Sequence, residues 1–287
     1  MNSASLRQRP SAPLTPTAIG RAATLALHDE LALTPKPGLV TLVDNGSHRD
    51  MDAHTFMRSL FALRGYFVRI AEAGQAGAAF SELERCGIAA EHRMMAATGG
   101  INTHRGAIFM LGLLCAAAGA IARDCIGPIH AVQLRGALRL HWGDALAARS
   151  KRVSTLPGGI AARQLGLRGA SEEAALAFPV LFEVAVPALE RGLARGLPPQ
   201  LARLDTLFHV MAVLDDSNVA HRGGLVGLRH AQGVAQRFID RGGVARPGGL
   251  ADASAIAEDF VARRLSPGGA ADTLSAACWI MRVSAAA

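Results

Sequence analysis

Polar side chains in this chain collect in four short clusters, each at the edge of an apolar stretch. The first runs from Thr34 to Asp52 and holds Lys36, Asp44, Asn45, His48, Arg49, Asp50 and Asp52. Pro35, Pro37, Gly38 and Gly46 can give such a loop a fixed shape, so that several charges aim at one place. An ordinary polar loop is the plainer account, but so much Pro, Gly and mixed charge between two apolar helices favours a site. The second cluster, Thr98 to Ala107, contains Gly99, Gly100, Asn102, Thr103, His104 and Arg105. Glycines and a polar residue ahead of a helix can leave amide groups converging on an anion, with Arg105 beside them. Simple capping by Asn102 or Thr103 is the alternative. The third, Leu214 to Gly224, supplies Asp215, Asp216, Asn218, His221 and Arg222. Adjacent carboxylates suit Mg²⁺, which binds through one or two of them together with water and substrate phosphate. Helix capping would explain one of the two acids but not both. The fourth, Ser266 to Asp272, is a glycine-rich helix entrance that alone implies little beyond capping.

Three histidines, His48, His104 and His221, fall in these clusters. His92, His130, His141, His209 and His230 lie in helical stretches and read as surface or core residues. The His28-Asp29 dipeptide resembles that of HD-type metal phosphohydrolases. Without matched further ligands it reads as coincidence.

The elements that must hold these clusters are helices. Half of the 287 residues are hydrophobic, yet only 5% are aromatic; abundant Ala and Leu favour helix, and the strand-forming types are scarce. Helical patterning is expected near 15–33, 52–73, 78–96, 104–123, 127–148, 170–193, 198–213, 223–241, 250–264 and 269–285, with no internal repeat or long linker. The expectation is an all-α, single-domain multi-helix bundle over 15–287, preceded by a disordered tail over 1–14. Gly106 to Ala122 carries no charge between Arg105 and Arg123. That length is at the lower limit for a membrane span, but its Ala and Gly content predicts a buried central helix wrapped by others. The four cysteines lack metal-ligand spacing and read as free thiols in a reducing compartment. The N-terminus has no apolar signal region, so the protein is expected to be cytoplasmic. A net charge of +7 suits polyanionic partners. No basic run with interleaved aromatics suggests nucleic acid.

Five segments together, TPKPGLV with DNGSHRDMD, GINTHRGAIF, GLRGASEEA, LDDSNVAHRGG and LSPGGAAD, resemble the triphosphoribosyl-dephospho-CoA synthases in content and order. They span 34–272. One departure is Ser171, where the family usually carries Arg; Glu173 is retained. The resemblance implies an all-helical fold and transfer of the triphosphoribosyl group of ATP to the ribose 2′-OH of 3′-dephospho-CoA, with loss of adenine. The product is the precursor of a prosthetic group on an acyl-carrier subunit. Glu172-Glu173-Ala174 and SPGGAADTLSAAC resemble the malonate decarboxylase branch more than the citrate lyase branch.

That chemistry wants a carboxylate near the attacking hydroxyl, and the candidates are Asp44, Asp50 and Glu173, with His48 and His104 next. Lys36, Arg49, Arg105 and Arg222 would neutralise phosphates. Asn45, Gly99, Gly100, Asn102, Thr103, Asn218, His221 and Ser266 complete the expected nucleotide-binding set, with Mg²⁺ on Asp215 and Asp216. No membrane or nucleic-acid partner is expected, and a homodimer is compatible with the sequence. Two other functions fit the same clusters: a metal-dependent hydrolase of N-glycosides or phosphates, and a non-catalytic helical adaptor for an acyl-carrier protein.

Overall fold

The computed structural model describes residues 14–125 and 127–285. The expected tail over 1–14 lies outside them except for Leu14, which is buried in the core rather than loose. Twelve α-helices follow one another among the described residues: α1 Pro16–Leu31, α2 Ala53–Gln75, α3 Phe80–Thr98, α4 Arg105–Asp124, α5 Ala131–Ser150, α6 Pro157–Gln164, α7 Ala170–Ala175, α8 Val186–Ala194, α9 Pro199–Val213, α10 Ser217–Asp240, α11 Gly249–Ala262 and α12 Gly268–Ala285. A π-helical turn at Val180–Ala185 leads into α8, and no strand occurs among the described residues. The fold is all-α, as the composition indicates.

Helix α4 is the axis of the bundle, packed by α1, α2, α3, α5 and α12. It is long and apolar enough to cross a membrane, but its residues from Leu111 to Ala120 are buried inside the protein. Its small residues explain how α2 comes so close. A side chain at Gly119 would overlap the Ala71 carbonyl, and one at Gly74 would overlap that of Ala116. The Tyr66 hydroxyl reaches across to donate to the Ile108 carbonyl at 2.9 Å. Larger neighbours such as Leu111 and Leu114 fill the remaining volume, each fully buried side chain contributing about 1.5–3 kcal/mol.

Several expected elements differ. The stretch 170–193 is broken into α7, the π turn and α8. Ala177 and Phe178 take left-handed backbone (φ 54° and 50°), which ends α7, and Pro179 opens the π turn, where a missing N–H leaves no helical bond unmade. Helix α6 was not anticipated, because Pro157-Gly158-Gly159 reads as loop although proline suits a helix's first turn. Helix α10 starts at Ser217 rather than near 223, bending at Gly224 (φ 62°).

Local capping places the loops. Asp52 caps α2, accepting from Thr55 N at 2.8 Å and Thr55 Oγ1 at 2.7 Å. Asp29 of the His28-Asp29 pair binds Arg203 and Arg282, tying α1 to α9 and α12. Its role is architectural. All four cysteines are free, with Cys115 and Cys278 buried and Cys125 exposed.

Candidate active site

The loop between α1 and α2 is pinned to the C-terminal part of the chain. Ser47 Oγ donates to the Leu265 carbonyl at 2.6 Å. His48 Nε2 lies 2.9 Å from Ser266 Oγ. Arg222, on α10, donates to the carbonyls of Ser47 and Arg264 at 3.1 and 3.3 Å and to His48 Nδ1 at 3.0 Å. The first, third and fourth clusters therefore meet at one place. Burial and the Arg222 cation lower the His48 pKa to about 4, so its imidazole is neutral at physiological pH.

The third and fourth clusters are joined a second time. Asp216 is buried, and its Oδ1 accepts from the amides of Asn218 and Val219 at 2.9 and 3.2 Å. Its Oδ2 accepts from Ala270 N at 2.9 Å. One carboxylate thus caps α10 and α12 together. Asp215 accepts from Arg168 N at 3.1 Å, and the Arg168 guanidinium binds Glu173 Oε1 at 2.9 Å. That link brings the segment around α7 to the same place. Among the described residues no group of three or more His, Cys, Asp or Glu could hold a metal ion.

The second cluster joins through Asp272. A side chain at Gly106 would overlap Asp272 Oδ2 and lie 3.0 Å from its Cγ, and the carboxyl accepts from the Ala107 amide at the start of α4. Burial, with Glu30 and Asp216 nearby, holds the Asp272 pKa well above the usual carboxylate range. The buried His104 places Nδ1 2.6 Å from Ser59 Oγ, while its Nε2 and the Thr103 hydroxyl oxygen are buried without a partner among the described residues. Burial first, then the Lys36 charge, lowers the His104 pKa to about 3.

Lys36 differs from its expected role. Its ammonium is buried, donating to Glu30 Oε1 at 2.6 Å and to the Glu30 carbonyl at 2.7 Å. Glu30 was not among the expected site residues, yet it lies with Ala23 and Leu27 on one buried face of α1. A carboxylate on such a stripe requires a partner. Burial is the largest influence on Lys36 and lowers its pKa, opposed by Glu30 and Asp44.

The glycine pair also differs. Gly99 and Gly100 (φ 69° and 90°) both direct their amides to the Met95 carbonyl, so they close α3 and provide no anion nest at α4. Asn102 Oδ1 accepts from Arg105 N at 3.1 Å, which is capping, and the Arg105 side chain pairs with Glu91 on α3. Asn45, Arg49, Asp50, Asn218 and His221 are exposed at or beside the joined clusters.

Residues 16–287 match the family described as CitG: ATP:dephospho-CoA triphosphoribosyl transferase. The chain belongs to that family. It is 38% identical over 262 residues, 91% of this chain and 89% of the relative, to a protein of Acinetobacter calcoaceticus named "Probable 2-(5''-triphosphoribosyl)-3'-dephosphocoenzyme-A synthase". No solved structure matches it. As a triphosphoribosyl-dephospho-CoA synthase the chain is a transferase, and its family implies ATP and dephospho-CoA as substrates.

A triphosphoribosyl transferase needs a base with free lone pairs, and the three carboxylate candidates differ in this. Asp44 spends Oδ1 on Gly46 N at 2.8 Å and Oδ2 on Thr41 Oγ1 at 2.9 Å. Glu173 is buried against Arg168, with its other oxygen 3.4 Å from Val180 N. Asp50 is exposed, and its Oδ1 lies 3.9 Å from Nδ1 of the neutral His48, too far for a hydrogen bond.

Proposed function

We propose that Asp50 is the general base of the transfer, and that the transfer serves a malonate decarboxylase. The observation that carries this reading is the convergence of the loop 44–50, Arg222 and Ser266, with Asp50 as the candidate carboxylate whose oxygens its own loop leaves open. The 2′-OH of dephospho-CoA attacks C1 of the ATP ribose, forming the O2′–C1 bond as the C1–N9 bond breaks. The hydroxyl proton passes to Asp50, and adenine leaves with the bond's electron pair and takes up a proton. One displacement with inversion converts β-linked ATP to an α-linked product. Arg49 lies where phosphate charge must be met.

Mg²⁺ fits Asp215, whose Oδ1 carries no partner among the described residues, better than Asp216, whose two oxygens both hold amides. One carboxylate oxygen is enough for an ion held mainly by ATP phosphates, and the ion would offset triphosphate charge. Two sequence features support the malonate branch, Glu172-Glu173-Ala174 and the SPGGAADTLSAAC segment.

Mass spectrometry of ATP and dephospho-CoA incubated with the protein tests the reaction. Adenine and triphosphoribosyl-dephospho-CoA should form in equal amounts, and excess chelator should stop both. Adenine released from ATP alone at the same rate would favour a hydrolase. Loss of the gene should abolish growth on malonate and leave growth on citrate intact; the reverse pattern refutes the branch assignment.

A further inference from the structure

Arg222, His48 and Ser266 form a chain of three polar groups whose directions are fixed by donor chemistry. A guanidinium has only donors. Its Nη2 lies 3.0 Å from His48 Nδ1, so Nδ1 must present a lone pair. In a neutral imidazole the proton then resides on Nε2. That N–H faces Ser266 Oγ at 2.9 Å, and the serine oxygen must accept. The opposite polarity, with Ser266 donating to Nε2, would put a proton on Nδ1 against the arginine N–H groups.

The consequence falls on the serine. Ser266 is buried, and its hydroxyl makes no other hydrogen bond among the described residues. Its proton is therefore a donor without an acceptor, which is costly inside a protein unless a ligand supplies one. The neighbouring groups give the ligand's character. Arg49 follows His48 on the loop, Arg222 grips the Arg264 carbonyl, and both arginine side chains are exposed there. The amides of the first turn of α12 are already taken by Ser266 O and Asp216, leaving the hydroxyl as the free donor at this helix entrance.

We propose that Arg222 is a positioning residue that holds His48 as the Nε2–H tautomer, so that the Ser266 hydroxyl donates to a phosphate oxygen of the bound nucleotide. Arg222 then acts through His48, and His48 is excluded as the base of the reaction because its only lone pair faces a cation. The low His48 pKa, caused by burial and Arg222 and opposed by Asp50, keeps the relay neutral across the physiological range. The proposal rests on the assignment of ATP and dephospho-CoA as substrates, but its test does not require turnover.

The first measurement is long-range ¹H–¹⁵N correlation on the unaltered protein labelled at histidine. At pH 7 His48 should show a protonated Nε2 and an unprotonated Nδ1. A protonated Nδ1 overturns the proposal without any variant. The second is calorimetric binding of ATP and of dephospho-CoA, each titrated separately. Ser266→Ala should weaken one of them roughly tenfold or more, the scale of one hydrogen bond to a charged group. Unchanged binding of both overturns the proposal. Arg222→Ala should weaken the same ligand, and should add little when Ser266 is already alanine. Equal losses in both backgrounds would show that Arg222 grips phosphate directly, against the relay. Binding that follows this pattern in a protein yielding no product would sink the proposed reaction and leave the relay standing.

Discussion

Replacing Gly106 by alanine adds a single methyl group, and its effect can be worked out from one contact. The new Cβ would overlap Asp272 Oδ2 and lie 3.0 Å from its Cγ. Asp272 must then move, giving up its hydrogen bond from the Ala107 amide. Overpacking costs about 1–3 kcal/mol, and stranding that amide costs about 1–3 kcal/mol more. Alanine returns up to about 1 kcal/mol of helix propensity. The net loss should be about 2–4 kcal/mol, read as a lower urea midpoint at unchanged slope. The double variant Gly106→Ala/Asp272→Ala tests the cause, since removing the carboxyl opens the space the methyl needs. Gly106→Ala should then cost nearly nothing, a coupling far above the roughly 0.3–0.5 kcal/mol within which independent sites add. A full cost in the Asp272→Ala background would refute the reasoning, as would a single variant within about 0.5 kcal/mol of the parent.

Asp50→Asn should lower kcat by about 10²–10⁴-fold with little change in KM, whereas Asp44→Asn should act mainly through its loop; near-normal kcat for Asp50→Asn places the base elsewhere. Lys36→Met should destabilise by about 3–5 kcal/mol because it strands Glu30, and Glu30→Gln beside it should recover much of that loss in denaturant titrations. His104 has a folded pKa near 3 against about 6.5 unfolded, so the unfolded chain binds the extra proton and stability falls as pH drops below about 6.5 toward 3. Stability curves at pH 7 and 5 should therefore converge more closely in His104→Gln than in the parent.

Local signals were legible in the sequence and partnerships through space were not. Helical patterning placed α2 and α4, and Asp52 was readable as a helix opener because a cap acts on residues two or three positions away. Glycine misled twice for the opposite reason. Gly99 and Gly100 read as the entrance to α4, yet left-handed glycine serves equally as the exit from the helix before it. Gly158 and Gly159 hid α6. Lys36 looked like a phosphate ligand because nothing local shows that Glu30, the last residue but one of α1, turns its carboxylate toward it. Asp215 and Asp216 looked equivalent in sequence. Only the approach of α12 makes one a double cap and leaves the other an open oxygen.

The contacts that assemble this place also set when it can exist. Ser47 and Leu265 are separated by 218 residues in sequence, as are His48 and Ser266, and Trp279 of α12 donates to Ile19 of α1 across 260. A chain emerging from the ribosome presents the 34–52 loop early but cannot hold it in shape until α12 is released. During that interval the face of α1 that α12 will cover is bare. The nascent chain should thus be inert toward nucleotide and dependent on protection from aggregation until α12 has emerged, because long-range closure comes late in folding.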